Sequence, residues 1–357
     1  MSDLQRARAV FEQQHAQGRF PGGQLVVWLR GEKVLDVALG KAREPSMAVT
    51  PATRFAVFSA TKPVVATAIA MMEERGLVDV NAPVAKYWPE FAANGKGELT
   101  VLDVLRHRAG VLTPELVLSP ERWGDEQHVR SVVASATPRS PRGKLAYMPY
   151  EFGWILAEVA QRATGERLDT FLAREIAAPL GVPGLRFGAT RDELATLAQT
   201  YWVGTKKTYV AGVELSAVFE RDNNSPAALT AFVPGAGLVC TANDLARFYD
   251  ALARGGAPLL KPSTLARYTE GAWGFDRSNR VPLRVGRGFI LGGLTPTMYG
   301  WWGTGACFGH AGAFCTLAWA DAKRQLAVAM VTNGNAGQYD LLYRCAPLGS
   351  ALQRAAA

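Results

Sequence analysis

Apolar residues are spaced at a helical period near the start of the chain and alternate in a strand-like way soon after. Residues 3–17 are spaced as an amphipathic helix. Two strand-like runs, residues 24–30 and 33–39, follow on either side of a Gly31-Glu32 turn, which predicts a β-hairpin. Strand signals return after about residue 270, at residues 283–291, 313–319 and 325–332, and residues 338–354 predict a closing helix.

The middle of the chain has a different character, because its apolar residues recur at helical spacing. Helices are predicted at residues 100–107, 152–164, 168–180 and 241–254, the last with Thr241 as its N-cap. Residues 189–235 show no clear period. We therefore expect an α+β fold, in which an antiparallel sheet is flanked by N- and C-terminal helices and carries a mainly helical inserted domain. The expected sheet domain is 1–75 with 270–357, the helical domain is 76–269, and the active site lies in the cleft between them.

The stretch 55–63 combines an apolar approach with the polar corner Ser59-Ala60-Thr61-Lys62, and an apolar run over 64–72 predicts a buried helix behind it. Ser59 and Lys62 are three residues apart, so on a helix they share one face, roughly 5–6 Å apart at Cβ. A hydroxyl beside an amine is a candidate nucleophile with its base. Burial in the first turn of a helix lowers a lysine pKa toward the neutral form. The alternative is that Ser59 caps the helix and Lys62 is a surface residue.

Composition narrows the classes of function. The chain has 357 residues, 48% hydrophobic and 20% charged, which is typical of a folded protein with one large or two moderate domains. The net charge of +8 is spread without a basic arm, so nucleic-acid binding is not expected. The four cysteines have no metal-ligand spacing and predict buried reduced thiols; they are Cys240, Cys307, Cys315 and Cys345. We expect no metal and no cofactor.

Targeting signals are not evident in the sequence. The first residues are polar and lack an apolar signal core, and no run approaches the ~20 apolar residues of a membrane span. We therefore expect a cytoplasmic protein that binds neither membrane nor nucleic acid and whose partner is a small-molecule substrate. The oligomeric state is left open.

Several further motifs occur in order along the chain. Residues 106–111, 145–154 and 235–241, together with Gly309-His310-Ala311-Gly312, accompany the Ser-x-x-Lys motif. This series resembles the serine β-lactamase and penicillin-binding-protein superfamily, on the side of class C β-lactamases and family VIII carboxylesterases. The resemblance extends over residues 21–333 and implies the β-lactamase/transpeptidase-like fold.

The resemblance implies roles for individual residues. Ser59 is the expected nucleophile, and Lys62 and Tyr147 share proton transfer, one deprotonating Ser59 and the other protonating the leaving group. Tyr147 falls on the tyrosine of the family's Y-x-N motif, with Tyr150 as the competing candidate. A tyrosine base needs nearby positive charge, which Lys62 would supply. The backbone N–H groups of Ser59 and Ala313 are expected to form the oxyanion hole.

Departures from the β-lactamase pattern suggest the substrate. Pro149 replaces the Asn of Y-x-N, and His310 and Ala311 replace the Lys and Thr of K-T-G. These changes remove polar groups that hold a β-lactam, so we expect ester substrates. The expected substrate-binding residues are His310, Gly312, Trp302 and Pro149. Other aromatics are candidates for an apolar acyl pocket or, alternatively, for the core: Trp123, Tyr201, Trp202, Trp273 and Trp301. A further alternative makes His310 a satisfied histidine at the start of a strand.

The sequence thus predicts a serine carboxylesterase that cleaves short- to medium-chain acyl esters through an acyl-enzyme, with weak or no β-lactamase activity. An α/β-hydrolase is not expected, because no G-x-S-x-G motif is present. The alternatives within the family are an acyltransferase and a D-aminopeptidase or amide hydrolase. A non-enzymatic alternative is an acylated sensor or a scaffold.

Overall fold

The computed structural model describes residues 2–117, 119–204, 209–210, 213–293, 296–313 and 316–357. Its largest element is a nine-stranded sheet in which every neighbouring pair is antiparallel. In chain order the strands are β1 (Gly22–Leu29), β2 (Glu32–Arg43), β3 (Met47–Ala48), β4 (Phe55–Ala56), β5 (Arg186–Phe187), β6 (Tyr201–Trp202), β7 (Tyr209–Val210), β8 (Val213–Glu214), β9 (Leu238–Cys240), β10 (Ala272–Asp276), β11 (Val281–Val285), β12 (Ile290–Leu291), β13 (Cys307–Gly312), β14 (Thr316–Asp321), β15 (Leu326–Thr332) and β16 (Gly334–Asn335). The large sheet has the order β10-β11-β12-β13-β14-β15-β1-β2-β3, so its strands come from both ends of the chain.

Helices surround this sheet and fill the middle of the chain. They are α1 (Asp3–Ala16), α2 (Lys62–Glu74), α3 (Val84–Tyr87), α4 (Val101–Leu105), α5 (Pro114–Val117), α6 (Glu126–Ser135), α7 (Glu151–Thr164), α8 (Leu168–Leu172), α9 (Ala178–Leu180), α10 (Leu215–Asn223), α11 (Pro226–Thr230), α12 (Ala242–Ala253), α13 (Pro262–Thr269) and α14 (Gln338–Ala355). Short 3₁₀ turns lie at Phe58–Thr61, Pro89–Gly95, Pro120–Arg122 and Arg191–Thr196, and a π turn at Ala173–Ala177. The predicted α+β architecture is confirmed.

The sheet is covered on both faces, which explains why its central strands are apolar throughout. Alternate side chains of a strand point to opposite faces. In β15, Val328 packs in one cluster with residues of α1 and α14, whereas its neighbour Ala329 packs on the other face in the cluster that includes α12. All seven residues of β15 are buried. The α12 face carries alanines in this strand, and such small side chains let the helix approach closely.

Local sequence signals set several boundaries where predicted. The hairpin β1–β2, the strand β15 and the closing helix α14 are confirmed. Thr241 caps α12 by accepting a hydrogen bond from the Asp244 N–H, while the Asp244 carboxylate accepts one from the Thr241 N–H. The predicted helix at 168–180 is α8, the π turn and α9 in succession.

The strand predicted at 313–319 begins later than expected. β14 starts at Thr316, and Ala313 lies in the preceding turn with φ of 38°, while Phe314 and Cys315 lie outside the described residues. Its partner β13 is a full strand, although its glycines and histidine give no alternating apolar pattern. The run predicted at 283–291 is divided between β11 and β12.

The remaining expectations on thiols and membranes can be compared directly with the structure. Cys240 and Cys307 are buried free thiols, as predicted; Cys345 is also buried, and Cys315 lies outside the described residues. Among helices of the described ranges, none has both the length and the apolar character needed to cross a bilayer.

Candidate active site

Ser59 and Lys62 meet at the junction of a tight turn and a buried helix. Ser59 lies in the 3₁₀ turn that follows β4, and Lys62 is the first residue of α2. The turn is sharp because Phe58 adopts a positive φ of 49°, which is uncommon for a residue other than glycine. The Lys62 ammonium nitrogen lies 3.1 Å from Ser59 Oγ. Ser59 remains partly exposed, whereas α2 is buried from Lys62 to Met72.

Two main-chain carbonyls fix the direction of the Lys62 amine. Nζ donates to the carbonyl oxygens of Pro149 at 2.6 Å and Gly235 at 2.8 Å. A carbonyl oxygen only accepts, and a neutral amine has two N–H groups and one lone pair. When Lys62 is neutral, the two N–H groups are held by the carbonyls, and the lone pair is left for Ser59.

The Gly235 carbonyl reaches Lys62 because the chain packs tightly at the start of α7. A Cβ atom on Gly153, in the first turn of that helix, would lie only 1.9 Å from the Gly235 nitrogen. Glycine at position 153 therefore permits a contact that any side chain would block.

The electrostatic surroundings favour a neutral Lys62. Burial is the main cause that lowers the pKa of Lys62 from 10.5 to about 7, and the Glu151 carboxylate opposes it by raising the pKa. Glu151 is itself fully buried and accepts hydrogen bonds from the Thr113 N–H and Oγ1, both at 2.6 Å. A substantial fraction of Lys62 is therefore the free amine near neutral pH.

The Tyr147 ring centroid lies 5.0 Å from Lys62 Nζ. Burial is the largest effect on the pKa of Tyr147 and raises it; the neighbouring Ser59 hydroxyl lowers the pKa, and the Asp276 carboxylate raises it further. The tyrosine is thus held as the neutral phenol. Asp276 also positions the loop, because its Oδ1 accepts the Tyr147 backbone N–H at 2.8 Å.

Tyr150, the competing candidate, faces a different neighbourhood. Its ring lies 4.9 Å from Trp123 and stacks 5.7 Å from Trp154, measured between centroids. The tyrosine that contacts Ser59 is Tyr147.

The strand β13 runs close beside the Ser59 turn. A Cβ atom on Gly312 would lie 2.0 Å from the Val57 carbonyl oxygen, so only glycine allows this approach. Ala313 follows directly, at the point where the chain leaves the strand. The close approach brings the expected oxyanion-hole segment to the side of Ser59.

Two buried histidines surround Tyr147. The His310 ring lies 5.9 Å from the Tyr147 ring, and burial, followed by the positive charge of Lys62, lowers the pKa of His310 to about 3. His107 lies on another side, 4.7 Å from the Tyr147 ring, and its Nδ1 accepts the Met148 N–H at 3.1 Å. Burial lowers the pKa of His107 well below its usual value. Both rings are neutral at neutral pH.

A narrow cavity of about 30 Å³ borders the Ser59 turn at Phe58 and has room for a water-sized group. It is lined mainly by apolar side chains, among them Phe58, Trp123, Tyr150, Leu229, Val233 and Ala236. Among the aromatic residues predicted for an acyl pocket, Trp123 is found here.

The other predicted aromatics are not brought to this cavity. Trp302 is 72% exposed, and its turn packs on α14, where the Trp301 N–H donates to Ser350 Oγ at 2.8 Å. Trp273 is exposed on β10, and Tyr201 accepts the Glu44 N–H through its hydroxyl.

Sequence reasoning missed four groups that surround the site, namely the Gly235 carbonyl, Glu151, His107 and Asp276. The Gly235 carbonyl carries no side-chain signal, since every residue has one. Glu151 and His107 lie within motifs already noted, and for Glu151 its proximity to Tyr147 in the sequence was a further hint. Asp276 comes from a distant hairpin and had no such hint.

Comparison with known proteins identifies the class that this fold and site define. The chain belongs to the Beta-lactamase family, whose model matches residues 7–344. It is 33% identical over 351 residues to the Esterase/beta-lactamase LipL of Mycobacterium tuberculosis, covering 88% of this chain and 77% of that protein. It is also 31% identical over 209 residues to Esterase EstB of Burkholderia gladioli, covering 53% of this chain and 52% of EstB.

Solved structures agree with this membership. A penicillin-binding protein homolog from Caulobacter crescentus superposes with a TM-score of 0.83 at 28% identity, covering 99% of this chain and 98% of that one. A family VIII carboxylesterase gives the same TM-score and coverage at 27% identity. The expected β-lactamase/transpeptidase-like fold is thereby confirmed, and the chain is a β-lactamase-fold hydrolase with esterase homologues.

Proposed function

We propose that the protein is a serine carboxylesterase that forms an acyl-enzyme on Ser59. The observation that carries the proposal is the orientation of Lys62. Its amine donates to two carbonyl oxygens, and Ser59 Oγ lies 3.1 Å from Nζ in the remaining direction. A pKa of about 7 supports a lysine that accepts the serine proton at neutral pH.

In acylation, Ser59 Oγ attacks the ester carbonyl carbon while its proton passes to Lys62 Nζ. The negative charge on the carbonyl oxygen is stabilised by the N–H groups of Ser59 and Ala313, roughly 3–4 kcal/mol per donor. The Tyr147 phenol donates its proton to the leaving alcohol as the C–O bond breaks, and Lys62 then returns a proton to Tyr147. Its raised pKa keeps Tyr147 protonated, so the phenol carries a proton for this step.

Deacylation runs the same transfers with water in place of the alcohol. Water attacks the acyl carbon, its proton is taken up by the Tyr147 and Lys62 pair, and Ser59 leaves with a proton restored to Oγ. The acid is released and the site returns to its starting state.

The substrate side of the proposal rests on Pro149 and His310. Position 149 contributes a carbonyl to Lys62 and has no side-chain amide to hold an acylamide group. His310 is neutral, so it does not attract the carboxylate of a β-lactam. These features support ester cleavage with little β-lactam hydrolysis.

Steady-state hydrolysis of p-nitrophenyl butyrate and of a chromogenic cephalosporin tests the proposal. We expect ester turnover in the wild type and little cephalosporin cleavage. Ser59→Ala should lower kcat/KM for the ester roughly 10³-fold or more, and Tyr147→Phe roughly 10²-fold. The matched control is Ser263→Ala, which removes an exposed hydroxyl from α13 and should behave as wild type.

Two results would contradict the proposal in different ways. Ester turnover that survives Ser59→Ala would place the nucleophile elsewhere. Fast cephalosporin cleavage would leave the nucleophile in place but overturn the substrate assignment.

A further inference from the structure

His310 presents a buried nitrogen without a hydrogen-bond partner among the described residues. Its Nδ1 lies 2.6 Å from the Ala311 carbonyl oxygen, and because a carbonyl only accepts, Nδ1 carries the proton. In a neutral ring the other nitrogen, Nε2, is then an acceptor. Nε2 is buried and unpaired, and His310 as a whole is 3% exposed.

The strand geometry places this ring on the site's side of the sheet. Side chains at positions i and i+2 of a strand point to the same face. Gly312 faces the Val57 carbonyl beside Ser59, so His310 faces the same way. The intervening Ala311 packs on the opposite face with the cluster that includes α1 and α14.

The Lys62 amine, a cation close enough to affect His310, is already in use, because its three directions go to Ser59, Pro149 and Gly235. The Tyr147 hydroxyl lies beside Ser59. A buried acceptor that stays unpaired is costly, so this site favours a ligand that brings a donor.

The position of Tyr147 beside His310 indicates which part of an ester, the acyl group or the alcohol, lies near His310. In the proposed reaction Tyr147 protonates the leaving alcohol, and the His310 ring is 5.9 Å from the Tyr147 ring. The apolar cavity lies elsewhere, along Phe58, Trp123 and Tyr150. The alcohol part of the substrate therefore faces a free acceptor and not this apolar surface.

We propose that His310 Nε2 accepts a hydrogen bond from the alcohol part of the substrate, which carries a second hydroxyl or an N–H group near the ester and no carboxylate. Monoesters of diols and polyols are the chemical class that fits. The inference rests on the proposed esterase function and specifies its substrate. It also reverses the polarity expected of a cationic side chain at this position, because a neutral acceptor repels a carboxylate that a lysine would attract.

Three butyrate esters that differ only in the alcohol test the proposal. They are the 2-hydroxyethyl ester, its 2-methoxyethyl counterpart, and the carboxymethyl ester, which carries a carboxylate. The wild type should prefer the hydroxyl ester over the methoxy ester by roughly 5- to 100-fold in kcat/KM, the range expected when a buried acceptor is left unpaired. The carboxymethyl ester should be the poorest of the three.

Variants at position 310 separate hydrogen bonding from shape. His310→Phe keeps a ring but removes the acceptor, so the ratio of hydroxyl to methoxy turnover should fall to nearly one. His310→Gln retains a carbonyl acceptor and should keep part of the preference. Nitrogen-15 NMR of the wild type gives a readout that needs no variant, with the Nε2 signal of His310 expected in the unprotonated range.

The outcomes distinguish this inference from the function on which it rests. No turnover of these esters or of p-nitrophenyl butyrate would overturn the esterase proposal itself. Ester turnover with equal rates for the hydroxyl and methoxy esters would overturn only the role of His310. A preference that persists in His310→Phe, or a protonated Nε2, would do the same.

Discussion

Two lysines of this protein are both buried and both held by main-chain carbonyls, but they differ in the third group that each ammonium nitrogen faces. Lys62 and Lys96 are both fully buried, and each ammonium group donates to two main-chain carbonyls. For Lys62 these are Pro149 and Gly235; for Lys96 they are Ala93 at 2.6 Å and Ala136 at 2.5 Å. In both cases burial lowers the pKa.

The third direction separates the two lysines. Lys62 Nζ faces Ser59 Oγ, whereas Lys96 Nζ lies over the Phe91 ring, 5.3 Å from its centroid. The helix ends also differ. Lys62 is at the start of α2, where the helix dipole disfavours a cation, and Lys96 contacts the residue after the C-terminus of α6, where the dipole favours one.

The comparison shows that a buried lysine held by carbonyls is not in itself a sign of catalysis. The same pair of carbonyl contacts in the Lys96 region ties a 3₁₀ turn to the end of a helix. In the Lys62 region it orients an amine toward a hydroxyl at a helix end that favours loss of the proton.

The largest expected difference is in activity. Lys62→Met should lower kcat/KM for p-nitrophenyl butyrate roughly 10²- to 10⁴-fold, because the base for Ser59 is lost. Lys96→Met should leave kcat/KM near the wild-type value and lower the free energy of unfolding by roughly 1–3 kcal/mol per unpaired carbonyl. Kinetics and urea denaturation of both variants make the measurement. Equal losses of activity in the two variants would remove the distinction.

The next effect is the pH dependence of the reaction. Because the pKa of Lys62 is lowered to about 7, kcat/KM should fall about tenfold per pH unit below that value as the amine becomes protonated. The same fall of kcat/KM at low pH should be seen in Lys96→Met. A profile that stays flat to pH 5 in the wild type would show that Lys62 is not the base.

The smallest effect is on stability. The pKa of Lys62 is lowered from 10.5 to about 7 on folding, so between these values the unfolded chain binds more protons and the free energy of unfolding rises with pH. From pH 7 to 9 this contributes about 2 kcal/mol, which Lys62→Met should lack. Urea denaturation at pH 7 and pH 9 measures how much the free energy of unfolding changes with pH in the wild type and in Lys62→Met. Parallel slopes in wild type and Lys62→Met would mean that the pKa of Lys62 is not lowered.

Much of the fold was accessible from sequence because it depends on local patterns. The strand β15 is predicted by a continuous apolar run, and the start of α12 by the capping box of Thr241 and Asp244; both patterns lie within a few consecutive residues. β13 was not predicted as a strand, because it has no alternating apolar pattern. Its glycines instead allow close contacts with the neighbouring strand and with the Ser59 turn. Such contacts leave no period in the sequence.

The groups of the candidate site also fall into those that the sequence predicts and those that it does not. Ser59 and Lys62 were predicted from side-chain identity and spacing, and Tyr147 from the resemblance to the family; the structure brings the three side chains together. The acceptors that orient Lys62 are backbone oxygens contributed from two distant segments, and no residue type marks a carbonyl. The exposed position of Trp302 was also beyond reach, since an aromatic beside glycines looks the same whether its turn faces a cleft or α14.

The carbonyl at position 149 has an evolutionary consequence. Every amino acid supplies a main-chain oxygen, so the contact with Lys62 does not depend on which side chain occupies this position. Residue 149 is thereby free to diverge under selection for new substrates while the orientation of the amine is inherited unchanged. A library at this single position would sample specificities without rebuilding the nucleophile.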